Sequence, residues 1–174
     1  MTFSQVILVD EKDKEIGVMD KMQAHQEGKL HRAFSILVFN SKGEMLIQKR
    51  AAEKYHSAGL WTNACCSHPQ PLETTIESAK RRLMEEIGLS CSLDFAFKFQ
   101  YLTEFENGLI ESELDHVFVG ITNNIPVINP REVSDFKYVS IEELMKDIEE
   151  NPDQYTYWFR LILKLYIPSM ARNG

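Results

Sequence analysis

The pattern of apolar and polar positions predicts short strands joined by tight turns. Asn40-Ser41-Lys42-Gly43 stands between two apolar runs and predicts a hairpin, and Asn107-Gly108 is a second turn signal. The run 34–39 is apolar almost throughout, which is typical of a buried strand. The predicted strands are 6–9, 34–39, 45–48, 95–102 and 115–121.

Helical periodicity is clearest in residues 74–87. Ile76, Ala79, Leu83 and Ile87 follow one another at spacings of three, four and four, and Gly88 stands where a C-terminal cap belongs. This pattern predicts an amphipathic helix that packs one stripe against the core.

Two further helices are predicted near the C-terminal end of the sequence. Ser140-Ile141-Glu142-Glu143 matches a capping box and opens a helix to about residue 148. A last helix is predicted at 153–167, with Trp158, Leu161, Ile162 and Leu165 on one side. The polar stretch 22–32 is predicted to be a loop.

The order of these elements bears on the fold class. Hairpins dominate and the strands and helices do not alternate as regular βαβ units. This favours an α+β fold or a mixed-sheet α/β sandwich over a doubly wound fold. The chain has 174 residues, 44% of them hydrophobic, and no internal repeat or long linker is evident. We therefore expect a single domain over residues 1–174.

Charge and cysteine content restrict the partners. A net charge of −7 argues against a nucleic-acid binder, and it means that an anionic substrate needs a local basic pocket or a bound cation. The three cysteines are odd in number and form no C-x-x-C pair, so a reducing compartment is expected. With neither a signal peptide nor an apolar run of membrane-spanning length, we expect a cytoplasmic protein without a membrane partner.

Thiol, imidazole and carboxylate side chains recur at short spacings. If 62–68 is extended, Cys66 and His68 share one face while Cys65 points to the other. Glu111 and Glu113 likewise share a face. The three imidazoles of His25, His31 and His68 and these two carboxylates could bind one divalent metal, such as zinc, manganese or iron.

Each of these side chains also has a simpler interpretation. A lone histidine such as His25 is often a surface residue, and Glu111 and Glu113 could be charges that protect an edge strand. Cys66 could be an inert buried thiol. Glu85 and Glu86 could lie on a solvated helix face and pair with Arg81 and Arg82.

Basic residues provide candidates for phosphate recognition. Lys21 lies close before His25, Arg50 and Lys54 follow the predicted strand 45–48, and Arg82 precedes the glutamates of the predicted helix. Arginine and lysine bind phosphate oxygens. The alternative is that these cations only maintain solubility.

One stretch resembles the Nudix box, G-x5-E-x7-R-E-U-x-E-E-x-G-U with U a bulky aliphatic residue. It reads Ser67-x5-Glu73-x7-Arg81-Arg82-Leu83-x-Glu85-Glu86-x-Gly88-Leu89. Ser67 replaces the first glycine, and Arg82 replaces a glutamate that belongs to the metal-binding set of Nudix hydrolases. The second departure disfavours a hydrolase.

Nearly the whole chain resembles a branch of that fold, the type I isopentenyl-diphosphate isomerases. The resemblance rests on His25-x5-His31-Arg32-Ala33-Phe34, on Trp61-Thr62-Asn63 with Cys66-x-His68-Pro69, and on Glu111-x-Glu113. It implies a Nudix-like α/β/α sandwich with N-terminal and C-terminal additions. The implied reaction converts isopentenyl diphosphate to dimethylallyl diphosphate.

The same resemblance implies roles for individual residues. Cys66 and Glu113 would move the protons, with Tyr101 orienting the donor. Trp158 would cover a carbocation, although ordinary core packing is an equal alternative. The other implied roles are one divalent ion (Mn²⁺, Zn²⁺ or Mg²⁺) on His25, His31, His68, Glu111 and Glu113, a Mg²⁺ on Glu86 that bridges to the diphosphate, and diphosphate binding by Lys21, Arg50, Lys54 and Arg82. A monomer is expected, with a dimer as the alternative.

Overall fold

The computed structural model describes residues 4–173, and for 168–173 only the backbone. The expected domain range 1–174 therefore begins and ends on residues, 1–3 and 174, that lie outside the described part. The strands are β1 (Gln5–Val9), β2 (Glu15–Asp20), β3 (His31–Phe39), β4 (Met45–Arg50), β5 (Trp61–Thr62), β6 (Cys65–Ser67), β7 (Leu93–Glu104), β8 (Ile110–Ile121) and β9 (Val133–Val139). The helices are α1 (Lys21–Glu27), α2 (Thr75–Ile87), α3 (Ile141–Glu150) and α4 (Tyr157–Asn173), with a 3₁₀ turn at Pro152–Gln154.

A mixed, nine-stranded sheet organises the molecule. Strand β3 pairs in parallel with β8 along its full length, from His31 opposite Glu113 to Phe39 opposite Ile121. On its other side β3 pairs antiparallel with β6. The sheet extends further, because β7 pairs with β8 in a hairpin and β9 pairs with β4. The mixed-sheet prediction is confirmed.

Helices cover both faces of this sheet because the side chains of β3 alternate. Phe34 and Ile36 pack with Leu83 and Ile87 of α2 in one buried cluster. Leu37 packs on the opposite face in a second cluster that contains α3 and α4 residues. Period-two alternation thus divides one strand between two hydrophobic cores and gives the expected α/β/α sandwich.

Helix α2 forms as its sequence predicts. Thr74 caps it, since its side chain accepts from Glu77 N while the Glu77 side chain accepts from Thr74 N. At the other end Gly88 has φ of 65°, and a Cβ there would lie 2.7 Å from Val127 O. Glycine alone avoids this clash, so the helix ends at a defined place before the chain turns back.

Two predictions about local structure are wrong. Residues 22–32 are not a loop, because α1 ends at Gly28 and β3 already begins at His31. The last helix starts at Tyr157 rather than at 153, since Pro152 begins a separate 3₁₀ turn. Among the described residues, the helices are too short or too polar to cross a membrane.

Candidate metal and diphosphate site

Four elements bring the predicted metal ligands together. His25 lies on α1, His31 opens β3, His68 directly follows β6, and β8 contributes Glu111 and Glu113. The parallel register places His31 beside Glu113. His25 and His31 are fully buried and the other three are at most 9% exposed. The surface interpretation of His25 is therefore wrong. So is the edge-strand interpretation of the glutamates, because β8 is flanked by β3 and β7.

Imidazole nitrogens face the two carboxylates. Glu113 Oε2 lies 3.1 Å from His31 Nε2 and 2.7 Å from His68 Nε2. Glu111 Oε2 lies 3.6 Å from His25 Nε2. The Nδ1 atoms point the other way: His25 Nδ1 bonds Lys21 O at 2.7 Å and His31 Nδ1 bonds Lys29 O at 2.8 Å.

This donor set fits a divalent metal. A carbonyl oxygen that accepts from Nδ1 fixes the tautomer that leaves Nε2 as a ligand atom. His25 Nε2 is buried and makes no hydrogen bond with the described residues, as expected for a ligand atom. His25, His31, His68 and Glu113 form a buried group that could hold a metal ion.

Burial and neighbouring charges keep these side chains in ligand-competent forms. Burial lowers the pKa of His68 to about 4, so its imidazole is neutral at physiological pH. Burial alone would raise the pKa of Glu113, but His68 and His31 hold it well below its usual value. The Tyr101 hydroxyl donates to Glu113 Oε1 at 2.7 Å and also to Glu111.

The neighbouring cysteines lie on opposite faces of β6. Cys65 is fully buried against α2, whereas Cys66 lines the same cleft as Glu113 and Tyr101. Desolvation raises the pKa of the Cys66 thiol, although Arg50 opposes this, with its Nη1 at 3.9 Å from the sulfur. The predicted alternation of the Cys65 and Cys66 side chains is confirmed, and the side chain that lines the cleft is the protonated thiol of Cys66.

Cations line the same cleft as the metal-ligand cluster. All four predicted phosphate-binding residues reach it, namely Lys21, Arg50, Lys54 and Arg82. Lys54 Nζ contacts Glu132 Oε2 at 2.5 Å, and Arg82 Nη2 lies 3.5 Å from Glu132 Oε1. Burial lowers the pKa of Lys21, with Lys54 adding to the effect. The acidic chain therefore has a local basic pocket, the condition that an anionic substrate requires.

Comparisons with known proteins agree with this geometry. Residues 29–159 match the NUDIX domain. The chain is 52% identical to the isopentenyl-diphosphate Delta-isomerase of Pectobacterium atrosepticum, over 92% of this chain and 90% of that protein. It is 51% identical to isopentenyl-diphosphate Delta-isomerase 2 of Aromatoleum aromaticum, over 98% of this chain and 90% of that protein. The chain belongs to the NUDIX-domain isopentenyl-diphosphate Delta-isomerase family.

Solved structures support the fold of this family at lower identity. A crystal structure from Deinococcus radiodurans superposes with a TM-score of 0.77 at 20% identity, covering 94% of this chain and 99% of that one. The MutT protein of Methanosarcina mazei superposes with a TM-score of 0.67, also at 20% identity, over 80% of this chain and 94% of that one.

Two residues of the Nudix-box helix differ in their surroundings. Glu85 is exposed and pairs with Arg81 and Arg82, as expected for a residue on a solvated helix face. Glu86 is only 3% exposed, and its Oε2 accepts from Cys65 Sγ at 2.6 Å. Burial raises the pKa of Glu86, while Arg82 at 3.5 Å opposes the shift. The solvated-face interpretation is therefore wrong for Glu86.

Trp158 belongs to the hydrophobic core and to the cleft at once. It is 2% exposed and packs with α3 and α4 residues, yet one side of it lines the cleft. Arg50 Cζ lies 5.2 Å from its ring centroid. The two interpretations of this tryptophan are thus compatible.

Among the residues that line the cleft, sequence reasoning missed Tyr55, His56 and Glu132. The first two lie in the loop that follows β4, and Glu132 precedes β9. Neither segment has a periodic pattern or a metal-ligand spacing, so no local signal connects them to the site.

Proposed function

We propose that this protein converts isopentenyl diphosphate to dimethylallyl diphosphate. One observation carries the proposal: the Cys66 thiol, the carboxylates of Glu111 and Glu113 and four cations line the same cleft. The cations can bind a diphosphate, and the thiol and carboxylates can move protons on a short hydrocarbon attached to it. A substrate with both parts therefore needs the two groups of side chains in one cleft. The identity to curated isopentenyl-diphosphate Delta-isomerases, 52% over 92% of the chain, supports the same substrate.

His25, His31, His68, Glu111 and Glu113 would hold one divalent ion, for which Mn²⁺, Zn²⁺ and Mg²⁺ are the candidates. Such an ion, when bound, offsets the negative charge of two neighbouring buried carboxylates and lowers the pKa of groups that coordinate it. Glu86 would hold a Mg²⁺ whose charge helps to bind the diphosphate.

The four cations bind the diphosphate oxygens in this proposal. In the protein without substrate, Glu132 neutralises Lys54 and lies near Arg82. The diphosphate must therefore displace or share these contacts. Arginine at position 82 adds a planar donor where a Nudix hydrolase carries a carboxylate, which favours holding the diphosphate over hydrolysing it.

The reaction is a 1,3-allylic proton shift in which two protein groups move protons. One of Cys66 and Glu113 gives a proton to the terminal methylene carbon, whose π electrons form the new C–H bond and leave a tertiary cation at C3. The other removes a proton from C2, and that C–H electron pair becomes the new double bond. Tyr101, which donates to both glutamates, keeps the carboxylate of Glu113 oriented towards the cleft.

Two features protect the cation between these steps. Trp158 presents an aromatic face, and attraction between a cation and such a face contributes about 2 kcal/mol or more when water is excluded. The buried surroundings also limit access of water, which would trap the cation as an alcohol.

We further propose that residues 1–174 act as a single Nudix-like isomerase domain in the cytoplasm. The working form is a monomer, with a dimer as the alternative. Neither nucleic acid nor a membrane is a partner, in keeping with the net charge of −7.

The test is incubation of the metal-loaded protein with isopentenyl diphosphate in deuterated water, followed by NMR of the products. We expect dimethylallyl diphosphate with deuterium in a methyl group and no released phosphate. Released phosphate would indicate a hydrolase. Recovery of unchanged, unlabelled substrate would contradict both enzymatic functions and leave a binding protein.

A further inference from the structure

His56 lies beside the metal-ligand cluster, although no ligand motif includes it. Its Nε2 is 2.8 Å from Glu111 Oε2, the oxygen that also faces His25 Nε2. The residue is 7% exposed, and it forms with His25 and Glu111 a second buried group with metal-ligand spacing. One carboxylate oxygen is thus flanked by two imidazole nitrogens.

Neither nitrogen is satisfied by hydrogen bonding. His25 Nε2 and His56 Nε2 are both buried, and the described residues give neither a hydrogen bond of acceptable geometry despite the nearby carboxylate. Each unsatisfied buried nitrogen destabilises the folded protein. A cation coordinated by both nitrogens and by Glu111 Oε2 removes both destabilising effects.

The surroundings of His56 Nδ1 also match those of a ligand histidine. Its Nδ1 lies 3.2 Å from Ser57 Oγ, as the Nδ1 atoms of His25 and His31 lie close to carbonyl oxygens. Donation from Nδ1 to Ser57 leaves the Nε2 lone pair directed at the cluster. This arrangement is the usual one for metal-ligating histidines.

The loop that carries His56 is fixed in place. The His56 ring stacks on Phe105 with centroids 4.4 Å apart and planes inclined by 10°. Its carbonyl oxygen accepts from Arg50 Nη2 at 3.2 Å, and Arg50 N bonds Leu60 O at 2.8 Å. The imidazole is therefore held at the cluster before any ion binds, which lowers the entropy cost of coordination.

We propose that His56 is a further ligand of the divalent ion and coordinates it through Nε2 on the Glu111 side. The ion then has four imidazoles and two carboxylates as donors, from His25, His31, His56, His68, Glu111 and Glu113. This inference rests on the proposed metal centre but not on the identity of the substrate.

The experiment loads the full-length, metal-free protein with Co²⁺ and counts its imidazole ligands by X-ray absorption. The variant is His56→Phe, which keeps the stack on Phe105 and removes the nitrogen. The matched control is His116→Gln, a buried histidine that bonds Asp13 outside the cleft. The Co²⁺ affinity of each protein is measured by competition with a chelator, and circular dichroism checks the fold.

We expect four imidazoles in the unaltered protein and in His116→Gln, and three in His56→Phe. The Co²⁺ affinity of His56→Phe should fall at least about 10-fold. Three imidazoles in the unaltered protein, or an unchanged count and affinity in His56→Phe, would overturn the inference and leave His56 as a packing residue. Should His56→Phe fail to fold, the count in the unaltered protein decides alone. Failure of the unaltered protein to bind Co²⁺ would overturn the metal centre itself.

Discussion

Two adjacent cysteines illustrate how one residue step changes the chemistry of a side chain. Cys65 Sγ donates to the buried Glu86 carboxylate at 2.6 Å and packs against α2. Cys66 points into the cleft near Arg50. Because β6 pairs with β3 in register, with Ser35 opposite Cys66, the two sulfurs cannot exchange places without a shift of the strand.

Cys66→Ala should lower kcat by about 10²–10⁴-fold, the usual contribution of a positioned proton-transfer group. Metal content and fold should remain, since the thiol is outside the ligand set and Cys66 is only a partly buried neighbour of the second core cluster. The control is Cys65→Ser, which keeps a donor to Glu86 and should retain most of the activity. Equal losses in the two variants, measured by substrate turnover with circular dichroism as a check, would contradict the assignment of Cys66.

At the scale of secondary-structure elements, the sequence predicts those with a periodic apolar pattern and misses those without one. The stripe from Ile76 to Ile87 predicts α2 to within one residue, and Gly88 marks its end. By contrast α1 has only seven residues and lacks an apolar stripe, so its polar sequence is typical of a loop. Its helical form depends on tertiary contacts, which a local pattern does not contain.

The positions of the site residues on these elements also explain which of the residues can be predicted from the sequence. His25, His31 and the two glutamates can be found because a family motif links them, although they lie on three separate elements. His56 has no such link. It reaches Glu111 only because the loop after β4 folds back over the cleft, a contact between residues 55 positions apart whose geometry no local spacing encodes.

The start of α2 is held by an ion pair with a defined pH dependence. Arg81 donates to both carboxylate oxygens of Glu73 at 2.8 Å, and Ser78 Oγ donates at 2.7 Å. The hydrogen bonds from Arg81 lower the pKa of Glu73 to about 2, against the opposing effect of burial. A carboxylate whose pKa is depressed in the folded state stabilises the fold above its unfolded pKa of about 4.3. That stabilisation is lost as the pH falls towards 2.

Glu73→Gln should therefore reduce the free energy of unfolding by about 1–2 kcal/mol at pH 7, a value that allows for solvent screening of a partly exposed pair. The difference from the unaltered protein should shrink between pH 4.3 and 2. Urea denaturation at a series of pH values measures it. Glu85→Gln, at a more exposed carboxylate on the same helix, is the control and should cost less. A difference that stays constant down to pH 2 would contradict the role of the ion pair.

At the scale of the whole molecule, the metal ligands come from parts of the chain that are far apart in sequence. Helix α1, strands β3 and β8 and the segment after β6 each contribute at least one ligand candidate. Burial raises the pKa of Asp115, and the carboxylates of Glu113 and Glu111, which are buried close together beside it, raise that pKa further. An ion bound there should therefore stabilise the folded chain as a unit.

We expect the midpoint of thermal unfolding to rise when Mn²⁺ or Zn²⁺ is added to the metal-free protein. Ligand at 100 times its Kd stabilises the folded state by about 2.7 kcal/mol. In a protein of this size that corresponds to a rise of about 5–10 °C. Glu113→Gln removes one carboxylate from the ligand set and should abolish most of the rise, whereas His116→Gln, outside the cleft, should keep it. Differential scanning calorimetry measures the midpoints. An equal rise in Glu113→Gln and in the unaltered protein would show that the ion binds elsewhere, because only a site containing Glu113 loses affinity when that carboxylate is replaced.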